Sequence, residues 1–212
     1  MFLKFVVLQF KRNVAIFLII IIIGLIVFSI IFYRDPQRSI PIENGIIISP
    51  ADGTVISIDI VKSGDNPVTI KNGKEIYLTE LKGIIEGNYT MVAIFMGPFD
   101  VHINRAPISG QVRDTIYLEG SHLPAFGNVL TENERNIVVI DGDVRVVTVQ
   151  IAGTLARRIE CYVNEGQNLN IGDKIGIIKL GSQVVVMYPS DSLTIIKEGD
   201  KLKAGETIIA KI

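Results

Sequence analysis

The 212-residue sequence predicts a mainly β domain of barrel-sandwich type behind a single N-terminal transmembrane or interfacial helix. Val14 to Tyr33 contains no charged residue, whereas the chain beyond Pro41 consists of short Val, Ile and Thr runs separated by Gly, Asn and Asp. In the C-terminal third, Val163 to Ile178 matches Ile196 to Lys211 at an offset of 33 residues. Each copy places two glycine turns between apolar steps, which is typical of barrel-sandwich hairpins.

The uncharged run is long enough to cross a bilayer, because twenty helical residues extend about 30 Å. It continues directly into Arg34 without a small-residue cleavage site, so we predict a retained anchor rather than a secretory signal. Met1 to Phe10 is also largely apolar and is expected to lie in the interface or to form a re-entrant hairpin. Basic residues flank the run on both sides and leave its orientation open. We expect an anchor with its juxtamembrane segment at residues 1–38 and a β domain at residues 39–212.

The β domain is predicted from Val, Ile and Thr runs that are bounded by turn residues. Helix is scarce there, and the best candidate is the short segment Gly153 to Arg158. The predicted strands are Ile46–Ile48, Gly53–Val61, Tyr89–Met96, Gly110–Leu118, Asn136–Gly142, Val144–Ile151, Arg158–Val163, Lys174–Leu180, Gln183–Tyr188, Leu193–Ile196 and Glu206–Lys211.

The composition excludes several classes of function. A net charge of -1 with thinly spread Lys and Arg gives no electrostatic footprint for nucleic acid. The single Cys161 excludes an intrachain disulfide framework and is expected to be a buried, inert thiol. Two histidines and one distant cysteine form no visible ligand set, so we predict no metal site. The sequence also lacks a glycine-rich phosphate loop and a GxSxG motif.

Two histidines are the candidates for a group that titrates near neutrality. His102 follows a buried-type strand, with Asp100 two residues before it, Asn104 two residues after it and Arg105 next. Residues two apart in an extended chain lie on the same side, so Asp100 and Asn104 are expected beside His102. His122 lies in the loop sequence GSHLPAFGN, for which we predict a structural or lid role.

A glycine-serine pair, Gly181-Ser182, lies between the apolar strands Ile175 to Leu180 and Val184 to Tyr188. Such a pair taken alone predicts an ordinary turn. It occurs together with four other motifs, and in this order the five resemble the phosphatidylserine decarboxylase family in its short bacterial and archaeal form. The motifs are FYRDPQR at Phe32–Arg38, SPADGTV at Ser49–Val55, IFMGPFDVHINRAPISG at Ile94–Gly110, ENER at Glu132–Arg135 and LGS at Leu180–Ser182.

The resemblance implies a pyruvoyl enzyme made by self-processing. Ser182 would attack the carbonyl group of Gly181, and elimination from the resulting ester would leave a pyruvoyl group as cofactor at the new amino terminus. Asp52 would belong to this self-cleavage machinery. The long chain, residues 1–181, and the short chain, residues 182–212, would remain paired.

The resemblance further implies decarboxylation of a serine phospholipid, phosphatidylserine or archaetidylserine, to the ethanolamine phospholipid. His102 would donate the proton, and Asp100 would orient or tune it. The expected partners are the lipid, the bilayer and the enzyme's own cleaved chain, and a homodimer is compatible with them. The expected location is the cell membrane, with the catalytic domain on the cytoplasmic side. Apolar residues Leu123 to Phe126 are expected to dip into the interface as a lid.

The sequence departs from the family at one position. The longer family form has a second histidine associated with self-cleavage where this chain has Arg105, and an arginine stays protonated. Either His102 serves both steps or Asp52 acts with a different partner. We predict that Asn104 and Arg105 bind the substrate, Arg105 through the lipid phosphate or the serine carboxylate.

Three alternatives stay open. Arg105 could form a structural salt bridge with Asp100 or Asp114 instead of binding substrate. A membrane-anchored serine hydrolase would use Ser182 with His102 and Asp52 as its triad. A lipoyl- or biotin-type carrier would modify Lys174, although that lysine is expected at the start of a strand rather than at an exposed tip.

Overall fold

The structure is a computed structural model that describes residues 2–71, 74–120, 134–153, 158–179 and 182–212. It divides into two compact units, Met1–Arg34 and Asp35–Ile212. The predicted anchor extended to residue 38. In the structure, residues 35–38 belong to the β unit, because Asp35 and Arg38 form ion pairs with residues of that unit.

The first unit is the helix α1, Phe2–Phe32, whose 31 residues span about 46 Å. Its segment Leu8–Phe32 is long and apolar enough to cross a membrane, by length and composition. The predicted N-terminal helix is confirmed. The re-entrant hairpin is wrong, since α1 is one continuous helix from Phe2 to Phe32.

Among the described residues, the regular secondary structure of the second unit is almost entirely strand. A short 3-10 helix, η1, occupies Thr79–Leu81. The strands are β1 Ile46–Ile48, β2 Gly53–Val61, β3 Val68–Lys71, β4 Lys74–Tyr77, β5 Tyr89–Met96, β6 Ile103–Arg105, β7 Gly110–Leu118, β8 Arg135–Asp141, β9 Arg145–Ile151, β10 Arg158–Cys161, β11 Asn168–Leu169, β12 Lys174–Lys179, β13 Ser182–Pro189, β14 Leu193–Thr194, β15 Lys201–Leu202 and β16 Ile208–Lys211.

Eight strands form one antiparallel sheet in the order β11-β7-β8-β9-β13-β5-β2-β15, with β9 and β13 at its centre. One face packs against two three-stranded sheets, β10-β12-β6 and β1-β16-β14, through apolar residues such as Ile94, Val184 and Ile175. The other face packs against the β3-β4 hairpin and η1 through residues such as Val185 and Leu78. The fold is therefore mainly β with an N-terminal apolar helix, as the sequence predicts.

Some predicted elements differ from the observed ones. The short strands β6, β11 and β15 and the β3-β4 hairpin were not predicted, because two- to four-residue strands carry too little alternation to be distinguished from loops. In the predicted helix Gly153 to Arg158, Arg158 instead begins β10, and residues 154–157 lie outside the described residues. Cys161 is exposed rather than buried, because it lies on β10 at the edge of its sheet.

The unit contains a second internal repeat, which the sequence analysis missed. Ile46–Val61 and Ile103–Leu118 each form a three-residue strand, a turn containing proline, and a nine-residue strand with a bulge, at an offset of 57 residues. The two turns carry matching main-chain bonds, from Arg105 N to Pro50 O at 2.9 Å and from Ile48 N to Pro107 O at 3.0 Å. The repeat at an offset of 33 supplies matching partners, since β15 pairs with β2 and β11 pairs with β7.

The two repeats create two equivalent corners. We call one the site corner, formed by Asp52, Gly53, Met96, His102 and Ala204, and the other the opposite corner, formed by Ser109, Gly110, Gly142, Gly45 and Ile171. In the site corner the Ala204 N–H donates to Asp52 Oδ1 at 2.7 Å, and in the opposite corner the Ile171 N–H donates to Ser109 Oγ at 2.8 Å. The opposite corner holds a cavity of about 330 Å³, lined in part by Gly45, Ser109 and Ile171.

Candidate active site

Ser182 begins a central strand at a junction between two sheets. β12 belongs to the sheet β10-β12-β6, whereas β13 pairs with β5 and β9 in the eight-stranded sheet. Among the described residues the two strands do not pair with each other, so they do not form a β-hairpin. Gly181 lies outside the described residues, and Ser182 is described here by its main chain.

The register of the sheet brings Asp52 to the same end as Ser182. Ser182 pairs with Met96 on β5, and Gly53 lies across β5 on the next strand, about 10 Å from Ser182 at the usual strand spacing. Gly53 has a φ of +153°, and a Cβ atom there would lie 2.3 Å from the Phe95 carbonyl oxygen. Only glycine permits this close approach, which places Asp52 at the end of the strand.

The Asp52 carboxylate is held by two donors. Arg38 Nη2 lies 2.9 Å from both carboxylate oxygens, and the Ala204 N–H donates to Oδ1. The side chains of Arg38 and Asp52 are only 5% and 13% exposed. Asp52 therefore has a partner that the sequence analysis did not assign, although Arg38 lies within the FYRDPQR motif.

His102 is fully buried and lies directly before β6. Its Nδ1 is 2.8 Å from the main-chain oxygen of Asp100. A carbonyl oxygen can only accept, so Nδ1 carries the hydrogen in the neutral ring and Nε2 carries the lone pair. Nε2 is thus the ring atom that can accept a proton.

Two expectations for the histidine change with this geometry. Asp100 contacts His102 through its main-chain oxygen, while its carboxylate accepts the Gly97 N–H at 2.7 Å. The hydrolase triad is not formed, because the Nδ1 hydrogen that a triad directs to its acid is directed to Asp100 O, and the Asp52 carboxylate accepts from Arg38 and Ala204.

Asn104 belongs to a buried chain of amides. Asn136 Nδ2 donates to Gln150 Oε1 at 2.8 Å, and Gln150 Nε2 donates to Asn104 Oδ1 at 2.8 Å. Asn104 Nδ2 in turn donates to Pro50 O at 3.4 Å and lies 3.7 Å from the sulfur of Met96. We call these three side chains the amide relay. The relay fixes the orientation of Asn104 beside the register partner of Ser182, which favours a positioning role for Asn104 over direct substrate contact.

A glycine makes room for the relay. A Cβ atom on Gly176 would lie 2.9 Å from Gln150 Nε2 and 2.5 Å from the Glu160 carbonyl oxygen. Gln150 and Asn136 were missed by the sequence analysis. The sequence signal that could have found them is their polarity, because they lie on β9 and β8 among core residues that are almost all Val and Ile.

Arg105 forms a salt bridge, but with neither of the predicted partners. Its Nη2 lies 2.6 Å from Asp35 Oδ1, and its Nη1 donates to Gly172 O at 2.9 Å. Asp114 pairs instead with Arg113. Lys174, the lysine of the carrier alternative, begins β12 and pairs with the second oxygen of Asp35.

Asp35, Arg105 and Lys174 line a cavity of about 430 Å³. The full lining is residues 35–38, 40, 105 and 171–174. Of the remaining predicted residues, His122 and the lid Leu123 to Phe126 lie outside the described residues.

Glu134, from the ENER motif, is buried and links three strands. Its Oε1 accepts from the Tyr117 hydroxyl at 2.8 Å and from the Ile159 N–H at 2.7 Å. Burial and the hydrogen bond to Glu134 raise the pKa of Tyr117 to about 12. The motif therefore has a structural function here, joining β7, β8 and β10.

Comparison with known proteins identifies the family of the chain. The family model described as phosphatidylserine decarboxylase matches residues 25–210. A protein of Methanocaldococcus jannaschii, provisionally named archaetidylserine decarboxylase proenzyme, is 46% identical over 92% of this chain and 94% of its own length. The phosphatidylserine decarboxylase proenzyme of Chlorobaculum tepidum is 39% identical over 89% of this chain and 80% of its own length. The chain belongs to the phosphatidylserine decarboxylase family.

Among solved structures, glucose permease IIA from Mycoplasma capricolum aligns with 78% of this chain and 93% of its own, at 18% identity and a TM-score of 0.40.

Proposed function

We propose that this chain is a pyruvoyl-dependent decarboxylase that converts a serine phospholipid to the ethanolamine phospholipid after cutting itself between Gly181 and Ser182. Membership of the family supports the reaction. The observation that carries the proposal is the position of Ser182 at the start of a central strand, beside Met96 and at the same end of the sheet as Asp52.

Self-cleavage requires proton acceptors near the junction. The Ser182 hydroxyl loses its proton as its oxygen adds to the Gly181 carbonyl carbon, and the C–N bond breaks to leave an ester and a free amine. Removal of the Cα proton of residue 182 then expels the Gly181 carboxylate from Cβ. Addition of water and loss of ammonia complete the pyruvoyl group. We assign the role of proton acceptor to Asp52, which leaves Nε2 of His102 for the later reaction.

The strand pairing would keep the pyruvoyl group at the new amino terminus in place. After cleavage, β13 would still pair with β5 and β9, and β15 and β16 would still pair with β2 and β1, so the short chain would stay in place. The pyruvoyl carbonyl supplies the electron sink for the departing carbon dioxide. In its imidazolium form His102 keeps its Nδ1 hydrogen on Asp100 O and carries the second proton on Nε2, which it delivers to the substrate carbon that loses the carboxyl group.

Arg105 is the proposed ligand for an anionic group of the substrate, the phosphate or the serine carboxylate. It lines the 430 Å³ cavity and is paired with Asp35, a carboxylate that a lipid anion would replace. Arg105→Lys removes the planar fork and is expected to raise KM with little change in kcat.

The helix α1 supports attachment to the cell membrane, and we place the catalytic unit on the cytoplasmic side. Withdrawing a diacyl lipid from the bilayer costs about 0.8 kcal/mol per exposed methylene, so an anchored enzyme that admits only the headgroup avoids this cost. Phosphatidylserine and archaetidylserine share that headgroup, and both are proposed substrates. A homodimer is compatible with this arrangement.

The test is a lipid assay with vesicles that contain phosphatidylserine or archaetidylserine. We expect the wild type to release carbon dioxide and form the ethanolamine lipid, and Ser182→Ala to form none. Ser109→Ala, in the opposite corner, should be as active as the wild type. An intact chain whose Ser182 reacts with a fluorophosphonate, with hydrolysis in place of decarboxylation, would overturn the proposal in favour of the hydrolase.

A further inference from the structure

We propose that Arg38 is a positioning residue for self-cleavage, which holds the Asp52 carboxylate for the reaction at Ser182. The inference rests on the proposed function, since it assigns the partner with which Asp52 acts. It concerns the segment Asp35–Arg38, which we call the strap.

The first support is the contact itself. Arg38 Nη2 bridges both oxygens of Asp52 at 2.9 Å, while the Ala204 N–H occupies Oδ1 from another direction. Two donors on separate segments define the plane of the carboxylate and leave it little rotational freedom. The cation also balances a negative charge in a setting where the aspartate side chain is only 13% exposed.

The second support is the opposite corner. There Ser109 accepts the Ile171 N–H as Asp52 accepts the Ala204 N–H, and among the described residues Ser109 has no counterpart of Arg38. The turn therefore folds with a neutral oxygen acceptor and without an ion pair. A buried ion pair offers little net stability against its desolvation cost, so the fold alone does not account for Asp52 and Arg38.

The third support is the anchoring of the strap at both ends. At one end Asp35 pairs with Arg105 and Lys174, and at the other Arg38 pairs with Asp52. Pro36 limits the backbone between them. The strap thus holds the guanidinium in place and joins the two site residues that the sequence analysis assigned to cleavage and to substrate binding.

The experiment follows self-cleavage during cell-free synthesis in the presence of vesicles, by the appearance of the two chains on a gel. Arg38→Met keeps the length of the side chain and removes its charge, and we expect cleavage to slow by about 10- to 100-fold, less than for loss of a general base. Arg38→Lys should recover part of the rate, because a single nitrogen makes both contacts in the wild type. Arg113→Met is the matched control, an exposed arginine outside the site, and should cleave normally.

Chemical rescue separates positioning from folding. Guanidinium ion added to Arg38→Ala should restore cleavage in a saturable way, whereas urea, which has the same shape without the charge, should not. The thermal stability of each variant is compared in the Ser182→Ala background, where no cleavage intervenes.

Cleavage of Arg38→Met at the wild-type rate would overturn the inference, and so would a folded Arg38→Ala that guanidinium does not restore. A wild-type chain that stays uncut would instead overturn the proposed function, so the two failures are distinguishable.

Discussion

The site corner and the opposite corner have the same backbone and different side chains. Each has a proline turn and a glycine that lets two strands approach closely. In each, a side-chain oxygen of the residue before that glycine accepts a hydrogen bond from a main-chain N–H. That residue is Asp52 in the site corner and Ser109 in the opposite one. The histidine position, His102, corresponds to Gly45. The fold therefore requires an oxygen acceptor at the turn, and the carboxylate and the imidazole are additions to it.

The amide relay extends this difference into the core. At the 57-residue offset Asn104 corresponds to Ile47, which is fully buried on β1. An apolar residue therefore suffices for packing at this position. A polar residue there needs partners, and Gln150 and Asn136 provide them.

The largest effect that would sharpen the comparison is expected from Asp52→Ser, which gives the site corner the side chain of the opposite one. The hydroxyl should still accept the Ala204 N–H. The buried Arg38 guanidinium loses its counter-charge, so Asp52→Ser alone should be clearly destabilised, whereas the double variant Asp52→Ser/Arg38→Met should unfold within a few degrees of the wild type. Self-cleavage should slow by about 10²- to 10⁴-fold, the usual contribution of an acid-base group. Cleavage at the wild-type rate on a gel would show that the carboxylate is not used.

His102→Gln tests the second addition, where the opposite corner has only glycine. We expect the precursor to be cut, because Asp52 and Arg38 remain, and turnover of vesicle lipid to fall by about 10²- to 10⁴-fold. Ser109→Ala, in the opposite corner, is the control and should leave turnover unchanged. Normal turnover by His102→Gln would remove the histidine from the proposed mechanism.

Gln150→Glu sharpens the comparison through the amide relay. The introduced carboxyl group is buried, so its pKa is raised, and when protonated it can donate to Asn104 and accept from Asn136 as glutamine does. On ionisation it can no longer donate. Turnover relative to wild type should therefore be near normal at low pH and should fall by about 10-fold or more as pH rises through the raised pKa.

The control for this variant is Thr148→Val, on the same strand and equally buried, whose hydroxyl has no hydrogen-bond partner among the described residues. It should follow the wild type at every pH. The same pH profile for Gln150→Glu and the wild type would show that the relay has no part in the reaction.

The smallest effect is expected from Ser109→Ala in the opposite corner. Loss of the acceptor for the Ile171 N–H should lower the free energy of unfolding by about 1 kcal/mol, with self-cleavage and turnover unchanged. Thermal unfolding measures the first and the chain pattern on a gel the second. A loss of cleavage in Ser109→Ala would contradict the claim that self-cleavage depends on the site corner and not on the opposite corner.

The sequence predicted the architecture well where elements are long. The apolar helix and the long strands β5 and β9 follow from hydrophobic patterning. Asp52, His102 and Ser182 were selected from motifs and stay predictions. The hydrogen-bond and ion-pair partners of the site residues could not be predicted, because they lie far away in the chain. Asp52 binds Arg38 and the Ala204 N–H. Arg105 pairs with Asp35 instead of Asp100 or Asp114.

The second repeat leaves only a weak signal in the sequence. Ile46, Pro50, Gly53 and Val55 recur at the 57-residue offset, but four identities are few without the matching hydrogen bonds. The tautomer of His102 required coordinates, since its Nδ1 partner is a main-chain oxygen.

The most direct test of the account is the intact mass of the purified protein beside that of Ser182→Ala. We predict two chains for the wild type, residues 1–181 and residues 182–212, with the shorter lacking the mass of one ammonia relative to a chain that begins with serine. Ser182→Ala should give one uncut chain. A single uncut wild-type chain would contradict self-processing at the site corner.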